Sequence, residues 1–185
     1  MSRGSRGKLF KLSRHAWPRL TGTRWDWHST SFTPSAAIYE RINEIVSTAP
    51  EVAQLRALTG GTLVLGLQPI SSSLVQAGQD RGGNVLGHDK VNQTWMVLDI
   101  GWWKAEDDAV AHRATKSLLE KIEKATKASN SYLRYIFMND ASWDQAVVDH
   151  YGTNNVRFMR QVRTKYDPSL VFHNLVSGGF KLSIF

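Results

Sequence analysis

Thr94-Trp95-Met96-Val97-Leu98-Asp99-Ile100-Gly101-Trp102 is an apolar run of strand length, interrupted by one charge, and it reads as a β-strand. Directly after it, from Ala105 to Ala128, Val110, Ala114, Leu118, Ile122 and Ala125 recur at three- and four-residue spacing among largely charged neighbours. That period predicts an amphipathic helix. Tyr132 to Met138 (YLRYIFM) then reads as another strand, so 94–138 forms a strand–helix–strand unit. If the unit is a parallel crossover, it is expected to be right-handed.

Working outward, Thr62 to Gln68 (TLVLGLQ) predicts a strand ended by Pro69. Residues 71–92 hold Gly78, Gly82, Gly83 and Gly87 with no apolar period, and are expected to form a long loop or lid. Ile38, Ile42, Ile45 and Val46 predict a helix over 34–48, with Thr33 as N-cap and Pro34 at the first helical position. Trp25 to Phe32 is aromatic and β-prone. Near the other end, Val156, Met159 and Val162 predict a short helix over 154–165, which should stop before Asp167-Pro168 because proline disfavours helical geometry in its predecessor. The order of elements fits an α+β fold with helices covering one face of a sheet. No internal repeat or low-complexity segment is present.

The chain has 185 residues, 42% hydrophobic and 21% charged, and suits one globular domain or part of a larger one. No stretch approaches the ~18 uninterrupted apolar residues of a membrane span. Of the 23 Lys and Arg residues, seven (Arg3 to Arg24) precede the first acid, Asp26; the remaining sixteen balance the sixteen acidic residues. The formal charge of +7 therefore belongs to residues 1–24, read as a basic, poorly ordered leader, and not to a surface shaped for phosphate. With no cysteine, disulfides, thiolate catalysis and cysteine-bound zinc are excluded. The start lacks the roughly 7–15-residue apolar core of a secretory signal. Asn92-Gln93-Thr94 is a glycosylation sequon that matters only on a secretory route.

Generic catalytic motifs are missing. There is no Gly-x-Ser-x-Gly elbow, no His-Glu-x-x-His and no P-loop. The six histidines are never three or four residues apart, so no metal site is predicted from spacing. Gly82-Gly83-Asn84-Val85-Leu86-Gly87 neither follows a strand nor opens a helix, and fails as a dinucleotide fingerprint. Glu106, Asp107 and Asp108 are expected to complement a helix dipole, and Trp102-Trp103 to point one ring inward and one outward.

The last fifty residues are more specific. Phe137-Met138-Asn139-Asp140-Ala141-Ser142, Gln145, Tyr151-Gly152, Asn155, Tyr166-Asp167-Pro168, Val171-Phe172 and Gly178-Gly179-Phe180-Lys181-Leu182 follow one another in an order that resembles the C-terminus of fungal berberine-bridge-enzyme-like FAD-linked oxidoreductases, in the vanillyl-alcohol oxidase superfamily. Trp27-His28-Ser29-Thr30-Ser31-Phe32, Leu67-Gln68-Pro69 and the 82–87 run resemble further landmarks, so the likeness covers about residues 25–185.

The resemblance implies a two-domain flavoprotein in which a substrate domain lays an antiparallel sheet over the flavin, the chain then returning to the FAD domain. Substrates are small-molecule alcohols and related compounds, often of secondary metabolism, oxidised by hydride transfer to FAD. By that pattern 25–138 is part of the substrate domain and 139–185 the returning segment. The FAD-binding domain, with its attachment histidine and cysteine, is expected to be absent from this sequence and supplied by a complementary chain or a longer product. Asn139 matches an asparagine near the flavin. Asp140 stands where many members carry a tyrosine that acts as base or shapes the site, and Gln68 ends a strand expected to be central in the sheet, from which it would project toward substrate; these two are the candidate catalytic residues. Two alternatives stay open: a remnant or interaction module without flavin, and a binder of nucleic acid or acidic surfaces acting through residues 1–24.

Overall fold

The computed structural model describes residues 24–183. The expected basic leader lies outside the described residues except for Arg24, which opens the first strand. The elements are β1 (Arg24–Phe32), α1 (Ala36–Thr48), α2 (Pro50–Ala57), β2 (Thr62–Ile70), α3 (Ser72–Gln79), β3 (Gln93–Trp102), α4 (Asp108–Ala128), β4 (Tyr132–Leu133), α5 (Thr153–Tyr166) and α6 (Val171–Leu175). Short 3₁₀ turns lie at Ala105–Asp107, Met138–Asp140 and Val148–Tyr151.

The fold is α+β. Four strands form one sheet in the order β2-β3-β1-β4, and every neighbouring pair is antiparallel. Because β1 lies between β3 and β4 and opposes both, β3 and β4 run in the same direction, with α4 as the crossover that joins them. The expected parallel unit is therefore present, with β1 inserted into it.

Alternation explains the packing. Phe32 of β1 and Met96, Leu98, Ile100 and Trp102 of β3 point to one side, where Ile38, Ile42 and Ile45 of α1, Val52 and Leu55 of α2, and Ala114, Leu118 and Ile122 of α4 bury them. Each large side chain buried there contributes about 1.5–3 kcal/mol relative to exposure. On the opposite side, Trp95 joins Tyr135, Ile136, Val147 and Tyr151 in a smaller cluster built by the chain after β4.

Several local expectations are corrected. Ser35, not Thr33, caps α1, its Oγ accepting from the Ile38 amide at 3.2 Å. Pro69 lies inside β2, which runs to Ile70; β2, the strand of Gln68, is not central as expected but an edge strand, where a missing N–H facing away from the neighbour costs nothing. The expected loop over 71–92 opens with α3, capped by Ser71 and too short to reveal a period. Pro50 starts α2, a helix the apolar pattern did not disclose. The strand expected over Tyr132–Met138 ends at Leu133, because the chain leaves the ladder to bury the consecutive Tyr135 and Ile136, which strict alternation forbids. Among the described residues no helix is long and apolar enough to cross a membrane.

Candidate functional site

The sheet face away from the helices is covered over only part of its area. Ser29, Ser31, Trp95 and Val97 are buried there. Farther along the same face, Asp99 of β3 is flanked across the sheet by Trp27 of β1 and Val64 of β2, which remain 39% and 44% exposed. The border between the covered and open parts is where the polar residues gather.

Gln68, near the end of β2, donates from Nε2 to Oδ2 of Asp140 at 2.5 Å. Asp140 sits in the 3₁₀ turn Met138–Asp140, held by its amide bond to the Phe137 carbonyl. The structure thus joins two residues that the sequence places 72 positions apart. Asn139 is exposed in the same turn.

Asp99 is the member that sequence reasoning missed. Its Oδ1 is buried without a hydrogen-bond partner. Burial, and then the negative charge of Asp140, push its carboxyl up from the usual value to about 6. A carboxyl tuned this way changes protonation near neutrality, which suits a proton acceptor. One signal was available: Asp99 is the sole charge in the apolar run 94–102. The glycine at position 66 lies beside this group on β2, and a Cβ there would come 2.7 Å from Val97 Cγ1.

The other singled-out residues have structural roles. Gln145 replaces a strand partner for β1: its Oε1 accepts from the Ser29 amide at 2.9 Å and from the Ser142 amide at 3.1 Å, and its Nε2 donates to the Ser29 carbonyl at 2.8 Å. Tyr151 is buried and stacked with Tyr135, their centroids 5.8 Å apart. The 80–92 loop packs on the same cluster through Leu86, and Gly87 approaches the Tyr151 carbonyl so closely that a Cβ would lie 2.2 Å from it. Asp167 ends α5 and accepts from the amides of Val171 and Phe172. Gly178 and Gly179 turn with φ of +71° and +70°.

The acids at the start of α4 do more than face a dipole. Asp108 pairs with Arg24 and accepts from the Trp102 indole at 2.7 Å, while Asp107 accepts from the Thr59 amide at 3.2 Å. Trp102 is buried and Trp103 exposed, as their alternation required.

No protein-family model matches the chain, and no solved structure matches it. Curated fungal proteins do. Over 155 residues the chain is 37% identical to an FAD-dependent monooxygenase of Arthrobotrys oligospora, covering 82% of this chain and 29% of that protein. Over 160 residues it is 34% identical to the bifunctional solanapyrone synthase of Alternaria solani, covering 86% and 31%. An FAD-dependent monooxygenase of Fusarium proliferatum is 40% identical over 121 residues, covering 64% and 23%. The chain spans less than a third of the length of each of these relatives.

Proposed function

We propose that this homologue of fungal FAD-dependent monooxygenases provides the substrate-facing sheet and the C-terminal segment of an FAD-linked oxidoreductase. The finer placement, among berberine-bridge-enzyme-like members of the vanillyl-alcohol oxidase superfamily, rests on the ordered string from Phe137 to Leu182. The observation that carries the reading is the Gln68–Asp140 hydrogen bond within electrostatic reach of the orphaned Asp99 carboxyl, at the border of an open sheet face.

That face fits a flat ring system on its own features. Trp27 and Val64 offer exposed apolar surface on both sides of Asp99, and Asp99 Oδ1 is an acceptor with nothing to accept from. Asn139 would contact the flavin, with the FAD-binding portion supplied by a longer product or a partner chain. Bound there, FAD supplies a hydride acceptor.

The chain's own residues handle the proton. As a small-molecule alcohol loses hydride from carbon, its hydroxyl proton passes to the Asp99 carboxylate. Asp140 makes Asp99 a better acceptor by electrostatic repulsion, and Gln68 fixes Asp140 by its hydrogen bond. Asp140 itself stands where the resemblance has a tyrosine, so the base function moves from that position to Asp99. Trp27 and Val64 keep water from the reacting carbon.

The α5–α6 end serves as the docking surface for the FAD-binding portion. Tyr166, Phe172, Leu175 and Val176 are all exposed there, and Tyr166 and Phe172 line a groove with Val162 and Leu182.

The test is co-expression with the FAD-binding portion of the Arthrobotrys oligospora relative, followed by an absorption spectrum of the purified pair. Flavin bands near one per chain, bleached anaerobically by an alcohol in the parent but at least ~10²-fold more slowly in Asp99→Asn, are expected. Absence of flavin from a folded pair supports the non-catalytic module instead.

A further inference from the structure

The sheet ends at β2 on an edge that carries no charge. Thr62 to Ile70 (TLVLGLQPI) is a nine-residue strand, bound to β3 along its whole length and, among the described residues, to no strand on its other side. Edges of this length are commonly guarded by lysine, a bulge or a covering element, because their free N–H and C=O groups invite another strand. Here only Pro69, near one end, stands guard.

Alternation along the ladder determines which backbone groups face outward. The amides of Ser29 and Thr33 donate away from β3, to Gln145 Oε1 and to the Ser131 carbonyl. Odd-numbered residues of β1 therefore face away from β3, and even-numbered ones bond to it. By the register, the even-numbered residues of β3 face β1 and its odd-numbered residues face β2. Their partners on β2 are Thr62, Val64, Gly66, Gln68 and Ile70. Leu63, Leu65, Leu67 and Pro69 are left with their backbone groups turned outward. Leu67 is also 43% exposed in its side chain.

We infer that this edge binds a second copy of the chain, β2 against β2, antiparallel about a two-fold axis at Leu65. The strand is complementary to itself about that point. Leu65 meets Leu65 of the second copy, and Leu63 meets Leu67 of the second copy, each pair exchanging both N–H···O bonds. Gly61 then falls opposite Pro69. Its N–H already donates to the Leu58 carbonyl at 2.9 Å and Pro69 has none, so the ladder ends there without an orphaned donor. On the open face Val64 falls opposite Gly66, where a Cβ would meet only Val97 Cγ1 within 4 Å; the space above that glycine can take the valine. On the helix side, Leu63 and Leu65 already pack against the apolar core, and the leucines of both copies extend that row. Charge permits the pairing as well. A two-fold axis sets like charges against each other, but Thr62–Ile70 has none, and beyond Arg24 sixteen basic residues balance sixteen acidic ones. An interface built on one ladder is small, below roughly 1,200 Å², so the dimer should dissociate on dilution. The pairing does not rest on the function proposed above.

Because the chain has no cysteine, single introduced cysteines report the register. All chains tested carry Leu175→Ser, so that association through α6 does not contribute. Hydrogen-bonded partners in an antiparallel ladder have Cα atoms about 5.5 Å apart, within disulfide reach. Under mild oxidation Leu65→Cys should therefore cross-link to twice the monomer mass. Leu67→Cys should do so at least ~10-fold more slowly, because the axis holds the two copies of position 67 about 14 Å apart. Without added cysteine, sedimentation should show a monomer–dimer equilibrium that follows concentration. Leu67→Pro removes an outward N–H from each copy and should weaken that equilibrium at least ~10-fold. A monomer at every concentration, or equal cross-linking at both positions, overturns the pairing. So does a dimer that folded Leu67→Pro leaves intact. A dimer that disappears when the FAD-binding portion of the Arthrobotrys oligospora relative is co-expressed also overturns it, and gives the edge to a strand of that portion. Should Leu67→Pro fail to fold, the cysteine comparison decides the question.

Discussion

One strand serves two unlike surfaces. On the helix side of β3, Met96, Leu98, Ile100 and Trp102 are sealed under three helices in a continuous apolar core. On its other side, the same strand offers Trp95 to a small aromatic cluster and Asp99 to a partly open face. Polar groups on that side are gathered on β1, where Asp26 meets His112 of α4 and accepts from Ser142 Oγ beside the buried ring of His28. The second holds an orphaned carboxyl oxygen and two orphaned serine hydroxyls, those of Ser29 and Ser31. The larger apolar core thus lies on one face, while the other carries buried polar groups that cost free energy.

The largest expected effect tests the sealed side. Leu118→Ala removes a fully buried side chain from the centre of α4 and should lower unfolding free energy by about 2–5 kcal/mol in urea melts. A loss under 1 kcal/mol would mean that the helices do not dominate stability and would erase the contrast. Gln145→Ala tests the weaker side. It leaves the Ser29 amide and carbonyl without their partner, and about 1–3 kcal/mol should be lost. Hydrogen exchange should then rise at Ser29 and over 138–145 before it rises in α4.

How much of this was legible divides along the same line. β3 and α4 could be read because their burial follows a period, Leu118 and Ile122 facing the sheet as the spacing required. Short or irregular elements escaped: α2 and α3 are about two turns long, and β4 stops where Tyr135 and Ile136 break alternation. In the site, Gln68 and Asp140 came from a family likeness, but nothing in local sequence says that they touch. Asp99 stood in plain view within 94–102. Its significance comes from the strand order β2-β3-β1-β4, which puts Trp27 and Val64 on either side of it. The pairing of His112 with Asp26 is likewise a tertiary fact, since the two meet across 86 positions. Spacing rules see only neighbours on one element.

Asp99→Asn sharpens the contrast through pH. Because folding raises the Asp99 carboxyl from 3.8 to about 6, the protonated form is favoured in the folded chain. Its stabilising contribution is complete below about pH 4 and is lost as pH rises through about 6. Asparagine does not ionise, so the variant should match the parent at pH 4 and exceed it by about 1–2 kcal/mol at pH 8, after allowance for partial solvent screening. Equal stability at both pH values would show that Asp99 ionises without strain, and the open face would lose its functional distinction.

The smallest effect on stability belongs to the end of the chain. Leu175 of α6 is 79% exposed, and its neighbours Phe172 and Val176 are exposed as well. A side chain that buries so little in the isolated chain cannot contribute much to folding, so Leu175→Ser should change unfolding free energy by no more than about 0.5 kcal/mol. The apolar surface it removes is of the kind that promotes association between molecules. Light scattering at increasing concentration should therefore show weaker self-association than in the parent, with the urea midpoint unchanged. Co-expressed with an FAD-binding portion, the same substitution should weaken pairing. A shifted midpoint would mean that α6 packs on the described domain and contributes to its stability; an unchanged midpoint with unchanged association would remove this surface from the docking proposal.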